Sequence, residues 1–240
     1  SLVATVPQEL CSRRVPGGVG TTDYGRSSAA CNALGEVGLR GGDIQQLVAQ
    51  SYLEVANAQH GGADVSQQSG GDVRVPLNGN VTAANVIEVL PFGNMLFRLE
   101  ITGQEVKSML EDGMHAVYGT GGSTGPYPYT GGLRFDVNAT QARGSRVTKI
   151  EVRNASTGNW AALDLAKTYK LFVLSFNATG GDGYTTLAAV PAARRLDIGV
   201  LDADVFQAYI DKQTKDATTG LPVLRKLDAA LYSTKSYVKP

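Results

Sequence analysis

The sequence predicts an α+β (mixed α/β) fold, a mixed sheet packed by helices, and three features carry that prediction. Short segments of strict apolar–polar alternation, residues 97–101 and 133–137, read as half-buried strands. Other segments place apolar residues three and four apart behind a capping residue and read as helices. The two kinds are interleaved without the regular strand–helix–strand rhythm of a parallel sheet. The 240 residues are 42% apolar and 18% charged, a globular composition long enough to bury a real core. No repeat and no clear linker divides the chain. It reads as one domain over 1–240, with an arm over 1–42 and a core over 43–240.

The arm has little periodicity and many glycines and is expected to be irregular. Arg13, Arg14, Arg26 and Arg40 lie there, expected to be solvated and, as a set, a reserve of anion-binding groups. The first ten residues, SLVATVPQEL, lack a basic stretch followed by an apolar one and do not read as a signal peptide, which suits a mature or a truncated product equally. Cys11 and Cys31 close a Gly-, Ser- and Thr-rich loop. They read as a disulfide worth about 3 kcal/mol for a loop of that size, with two unrelated thiols as the alternative. A disulfide implies an oxidising location: periplasmic, cell surface or secreted.

Asp43 is expected to cap a helix running to about Asn57, with Ile44, Leu47, Val48 and Leu53 along one face. ADVSQQSGGDVR, residues 63–74, reads as a short strand entering a glycine pair and ending at Arg74. That arginine is placed for bidentate contact with phosphate or carboxylate, or is a surface arginine after a turn. Thr82 caps a short helix carrying Val86, Val89 and Leu90 and stopping at Pro91. LPFGN, residues 90–94, then sets Phe92 beside a glycine at the edge of an ordered element. After the strand at 97–101, Thr102 and Glu105 have capping-box spacing and open a helix that buries Val106, Met109, Leu110, Met114 and Val117. Residues 119–132 are expected as a Gly/Pro/Tyr-rich rim loop. Strands follow at 133–137 and 146–154, a hairpin-type excursion at 162–168, and a buried strand at 169–174. Asp202 is expected to cap a helix with Val205, Phe206, Tyr209 and Ile210 on one face. The polar tail contributes one more packed segment through Leu224, Leu227 and Leu231.

The stretch SFNATGGDGY, residues 175–184, leaves the buried strand as a loop with three glycines and one carboxylate. Glycine tolerates positive φ and lets backbone approach a ligand closely. An apolar ring, a close backbone and an anionic acceptor suit a ligand with a flat base and a diol. The same residues also fit a plain strand-to-helix turn with Asp182 as a local cap.

Several chemistries are excluded. Lys plus Arg and Asp plus Glu number 22 each, so no global field favours a nucleic acid polymer or an anionic membrane. No apolar run reaches the roughly 18 residues of a membrane span. His60 and His115 are the only histidines and neither has metal-ligand spacing. Neither GxSxG nor GxxxxGK[ST] occurs. The residues offer a ligand cleft and no reaction centre, so no catalytic residue and no metal ligand is assigned to this chain.

SGGDVR (69–74), LPFGN (90–94), LFRLEITGQEVKSMLEDG (96–113) and FNATGGDGY (176–184) occur in that order. Together they closely resemble the C-terminal domain of the 5'-nucleotidase / UDP-sugar hydrolase family, over roughly residues 35–190. The Cys11–Cys31 loop with its RRVPGG start resembles the arm of bacterial, exported members. The resemblance implies a 5'-nucleotidase C-terminal-domain-like fold that binds a nucleoside or nucleotide. It also implies an N-terminal metallophosphatase domain, absent from this chain, that carries two divalent metal ions. It makes Phe92 and Phe176 the aromatics that sandwich the base, Asp182 the acceptor of the ribose hydroxyls, and Arg74 a phosphate contact. Gly181 falls within the loop, and Asn94 is expected to make a polar contact to base or loop. Ser69 stands where many members have the asparagine that bonds the base. Arg14 is preferred over Arg40 as a further phosphate-binding arginine. UDP-sugar or 2',3'-cyclic nucleotide hydrolase domains, or a stand-alone ligand-binding module, are the alternatives.

Overall fold

Strand β9 (Thr168–Leu174) shows why the core has two halves. Its Leu171 and Val173 point into one hydrophobic cluster and its Phe172 and Leu174 into another, as the two-residue period of a strand demands. Both faces are covered, so the strand is a near-continuous apolar run. The computed structural model describes residues 1–17 and 28–240. In chain order the elements are β1 (Leu2–Leu10), α1 (Ala29–Asn32), α2 (Gly35–Arg40), α3 (Asp43–Gln59), β2 (Val65–Ser69), β3 (Leu77–Thr82), α4 (Ala83–Val89), β4 (Met95–Thr102) and α5 (Gly103–Tyr118). Then come β5 (Pro128–Gly131), β6 (Leu133–Asn138), β7 (Val147–Arg153), β8 (Trp160–Ala162), β9, α6 (Ser175–Ala178), α7 (Thr185–Ala188), β10 (Arg195–Leu201), α8 (Asp202–Asp211) and β11 (Thr234–Val238).

The central sheet has the order β10-β4-β9-β2-β5 and is mixed, with β2 and β9 parallel and the other pairs antiparallel. A second sheet, β11-β6-β7-β8, and the β1-β3 pair complete the mixed α/β architecture. Ile44, Leu47, Val48 and Tyr52 of α3 and Val205 and Phe206 of α8 pack on one face of the central sheet. Val106, Met109, Leu110 and Met114 of α5 pack on the other. The predicted capping box of α5 is present, with Thr102 and Glu105 each accepting from the other's backbone N–H. Thr82 likewise caps α4.

The structure corrects several expectations. The arm is not irregular throughout: β1 pairs antiparallel with β3 and buries Ala4, Val6 and Leu10. Its alternation is hidden by a register break between Val6 and Leu10. Arg13 is not solvated but 4% exposed, and Arg26 lies outside the described residues. Asp43 and Asp202 are not N-caps. Each is the first residue of its helix, behind Gly42 and Leu201. The Asp43 carboxylate instead accepts from the Cys11 N–H at 3.0 Å and from the Tyr232 hydroxyl at 2.5 Å, stitching arm and tail to α3. The 119–132 stretch is a rim only in part, because it runs into β5, and Tyr127 just before that strand and Tyr129 within it are fully buried. The tail adds β11, which pairs parallel with β6 and escapes an apolar pattern search because its sequence, TKSYV, is polar. Cys11 and Cys31 are disulfide-bonded, with Cα atoms 5.6 Å apart.

Candidate functional site

The parallel strands β2 and β9 end side by side, and antiparallel β4 starts next to them. The loops that follow β2 and β9 and precede β4 therefore gather at one end of the central sheet, where open α/β sheets leave room for ligands. Phe92 is 57% and Phe176 40% exposed, while Phe97, Phe135, Phe172 and Phe206 are buried or partly buried. Exposing two aromatic rings at one sheet end forgoes their burial, which is informative in a chain that otherwise packs its phenylalanines. The loops bearing them are tied together: the Met95 N–H donates to Ser175 Oγ at 3.1 Å, and Ser175 Oγ reaches Asn94 Oδ1 at 3.4 Å.

Glycine shapes the 175–184 loop as its sequence implies. Gly180 has φ 102° and Gly183 φ 81°. Gly181 lies so close to Phe176 that an added Cβ would collide with the ring. Asp182 adopts φ 60°, ψ 23°, a left-handed conformation that costs a non-glycine residue energy and that aspartate tolerates better than most. Its side chain is hydrogen-bonded to Ser69, whose hydroxyl also accepts from Asn177 Nδ2 at 2.9 Å. Burial raises the Asp182 carboxyl above the usual range, opposed by the Ser69 hydrogen bond and the Arg14 charge. Ser69 is 0% exposed, so its hydroxyl is a support for Asp182 and Asn177.

Arg74 donates from Nη1 to the Gly71 carbonyl at 2.9 Å, and its guanidinium carbon lies 5.7 Å from the Phe92 ring centroid. Arg14 reaches the same neighbourhood from the arm, its charge acting on both Asp182 and Asp72. The arm runs directly over the glycine turn: a Cβ on Gly70 would meet the Arg14 carbonyl oxygen at 2.8 Å. The Tyr129 hydroxyl holds it by donating to the Arg13 carbonyl at 2.6 Å, and Gln45 bonds the Arg13 N–H and Ser12 Oγ. Arg40 is engaged elsewhere, stacked over Tyr232 at 5.2 Å and paired with Glu36 at 3.8 Å. Asn94 accepts from the Asp202 N–H at 2.9 Å through its carbonyl and bonds the Asp202 carboxylate through its side chain.

The structure thus brings Phe92, Asn94, Arg74, Ser69, Phe176, Gly181, Asp182 and Arg14 to one end of the sheet and leaves Arg40 apart. Sequence reasoning missed Asn177, Asp72 and Asp202. Asn177 and Asp72 sit inside the quoted motifs, next to Phe176 and between Gly71 and Arg74, and their spacing was a usable signal. Asp202 becomes legible only once α8 is seen to begin beside Asn94. Among the described residues no group of three or more His, Cys, Asp or Glu side chains could hold a metal ion.

The fold and the groups at its strand ends define a mixed α/β domain that presents aromatic rings beside carboxylate and guanidinium groups. The chain belongs to the 5'-nucleotidase, C-terminal domain family, whose profile matches residues 18–189. It is 36% identical over 154 residues to NAD 5'-nucleotidase of Haemophilus influenzae, covering 62% of this chain and 25% of that one. Against protein UshA of Escherichia coli it is 32% identical over 178 residues, 74% of this chain and 27% of that one. Among solved structures, a 5'-nucleotidase precursor from Thermus thermophilus superposes with a TM-score of 0.76 at 26% identity, covering all of this chain and 40% of that one. The chain thus matches only about a quarter of the length of the Haemophilus and Escherichia relatives.

Proposed function

We propose that this chain is the substrate-binding domain of an exported 5'-nucleotidase-type phosphoesterase. It holds a nucleoside or nucleotide and positions the phosphate ester for hydrolysis by a metal-bearing N-terminal domain outside this chain. The observation that carries the reading is the pair of exposed rings, Phe92 and Phe176, on loops joined through Ser175 and flanked by Asp182 and Arg74. Base–aromatic stacking contributes roughly 1–3 kcal/mol per base and tolerates different bases. An ionised Asp182 accepts from both hydroxyls of a cis-diol, and Arg74 with Arg14 supplies planar guanidinium donors for a phosphate. The contribution to catalysis is orientation of the reacting ester. The two divalent metals would activate water and polarise the phosphoryl group in the other domain. The greater length of the relatives supports a further domain in the parent protein. The disulfide supports export to the periplasm, cell surface or medium.

Calorimetry on the 1–240 chain tests this reading. Adenosine and AMP bind, Phe176→Ala and Asp182→Asn each weaken ribonucleoside binding about tenfold or more, and the pure chain does not hydrolyse AMP with Mn²⁺, Co²⁺ or Zn²⁺. Unchanged affinity in both variants sinks the site assignment, and metal-dependent turnover by the chain alone sinks the division of labour.

A further inference from the structure

Ser175 stands where β9 gives way to α6, one residue before Phe176. Its hydroxyl accepts the Met95 N–H at 3.1 Å and directs its own proton to Asn94 Oδ1 at 3.4 Å. Both partners belong to the segment that carries Phe92. The backbone pairing of β4 with β9 ends at Leu96 and Leu174. Beyond that pair one chain turns into the Phe92 loop and the other into the Phe176 loop, and the Ser175 hydroxyl carries the ladder one step further through a side chain. Other bonds hold each loop to its own support. The Arg74 N–H donates to the Val89 carbonyl at 3.0 Å and the Asp202 N–H to the Asn94 carbonyl at 2.9 Å, tying the Phe92 turn to the glycine turn and to α8. Arg195 Nη2 donates to the Ala178 carbonyl at 2.6 Å, and Asn177 Nδ2 to Ser69 Oγ at 2.9 Å and to the Gly181 carbonyl at 3.3 Å, anchoring the Phe176 loop. The bonds of Ser175 fix one loop to the other.

We infer that Ser175 is a positioning residue whose hydroxyl sets the separation of the Phe92 and Phe176 rings, so that a flat base fits between them. The inference rests on the nucleotide-binding reading. A base stacked on both faces needs ring planes roughly 7–8 Å apart, twice the carbon contact distance. A further gap of roughly 0.5–1 Å forfeits about a quarter to a half of the contact energy. The rings are 57% and 40% exposed, so packing against the core holds them only in part and the anchoring of their loops does the rest. Removing the hydroxyl releases the Met95 N–H and the Asn94 amide and lets the loops part, and affinity for AMP falls about three- to tenfold. Arg74 and Asp182 stay in place, because Arg74 Nη1 is bonded to the Gly71 carbonyl and the Asp182 turn is held by Asn177. The loss is therefore confined to the base end of the ligand.

The test compares the natural chain with Ser175→Ala, and with Ser175→Thr and Ser175→Val, which share one shape and differ in the hydroxyl. A thermal melt confirms that each is folded, and the threonine and valine variants carry the comparison on their own if Ser175→Ala does not fold. Each protein is titrated with AMP by calorimetry and by NMR. A base held between two rings has its ring protons shifted upfield, a signature of stacking that overall stability does not move. Ser175→Ala and Ser175→Val bind AMP about three- to tenfold more weakly, with a smaller upfield shift of the bound base. Ser175→Thr restores both, and the phosphorus resonance of the bound ligand is the same throughout. Unchanged affinity and unchanged base shifts in the alanine and valine variants overturn the inference and leave the nucleotide reading intact. So does weaker binding without a smaller base shift, or with the phosphorus resonance altered as well, which marks a general loosening. Binding of AMP to the natural chain without an upfield shift removes the ring clamp and the inference with it, and failure of the folded natural chain to bind AMP overturns the nucleotide reading too.

Discussion

At Gly181 an added Cβ would stand 2.5 Å from Cδ2 and 2.6 Å from Cζ of Phe176, so the ring occupies the space that a side chain there would need. Its φ is not in the left-handed region, unlike those of Gly180 and Gly183, and the backbone there accepts alanine without conformational strain. Gly181→Ala is therefore a probe of ring position alone. Phe176 is exposed enough to swing away, so thermal stability changes little while nucleoside affinity falls about tenfold, the lower part of the stacking range. Parallel melting and calorimetric titration check this, and a large drop in melting temperature with unchanged affinity would contradict it. The motif FNATGGDGY announced a close approach of backbone and ring. It did not show that the partner of Gly181 is the ring five residues before it, because that depends on the one-turn helix α6 folding Phe176 back over the loop.

Helices and strands with strong local signals were legible to within a residue or two, and the reasons the others were not are physical. The capping boxes of α4 and α5 are written in side chains that act on their own neighbours, so spacing reveals them. Asp43 and Asp202 look identical to caps in sequence, yet each is the first residue of its helix, with a carboxylate that also bonds a group distant in the chain, the Cys11 N–H for Asp43 and the Asn94 side chain for Asp202. For Asp202 this has a measurable consequence. Burial raises its carboxyl to about 6, despite the Ala203 N–H and the Asn94 side chain, which favour the ionised form. A carboxyl whose folded value exceeds its unfolded one makes the folded state bind the extra proton. Its contribution to stability is fully favourable below the unfolded value near 3.8 and is lost as pH rises to about 6. Between pH 4 and pH 6.5 the natural chain should therefore lose melting temperature relative to Asp202→Asn, by roughly 2–4 °C for each kcal/mol of that penalty. Parallel slopes of melting temperature against pH in the two proteins would refute the assignment.

Across the whole molecule, the arm is the part least readable from sequence and the one that completes the site. Its strand β1 depends on pairing with β3, some seventy residues away by the register of Val6 with Gly79, and no local pattern encodes such a contact. Two restraints bring Arg14 to the glycine turn, and they act differently. The Cys11–Cys31 disulfide limits the unfolded chain, closing a loop with a sequence separation of 20, and is worth about 3 kcal/mol on that account. The Tyr129 hydroxyl acts in the folded state, donating to the Arg13 carbonyl and accepting from the Gly42 N–H, so it joins arm, α3 and β5 at one point. Replacing both cysteines by serine should lower the melting temperature by several degrees and leave the ratio of AMP to adenosine affinity unchanged, because the hydrogen bonds still hold the arm. Tyr129→Phe removes one hydroxyl from a fully buried ring, leaving the Arg13 carbonyl and the Gly42 N–H without that partner. The arm shifts at Arg14, and the AMP-to-adenosine ratio falls while adenosine affinity holds. Comparing the two ratios by calorimetry separates a restraint on the unfolded chain from one that places a phosphate ligand. A fall in the ratio for the cysteine variant alone would show that the disulfide, and not Tyr129, sets the position of Arg14.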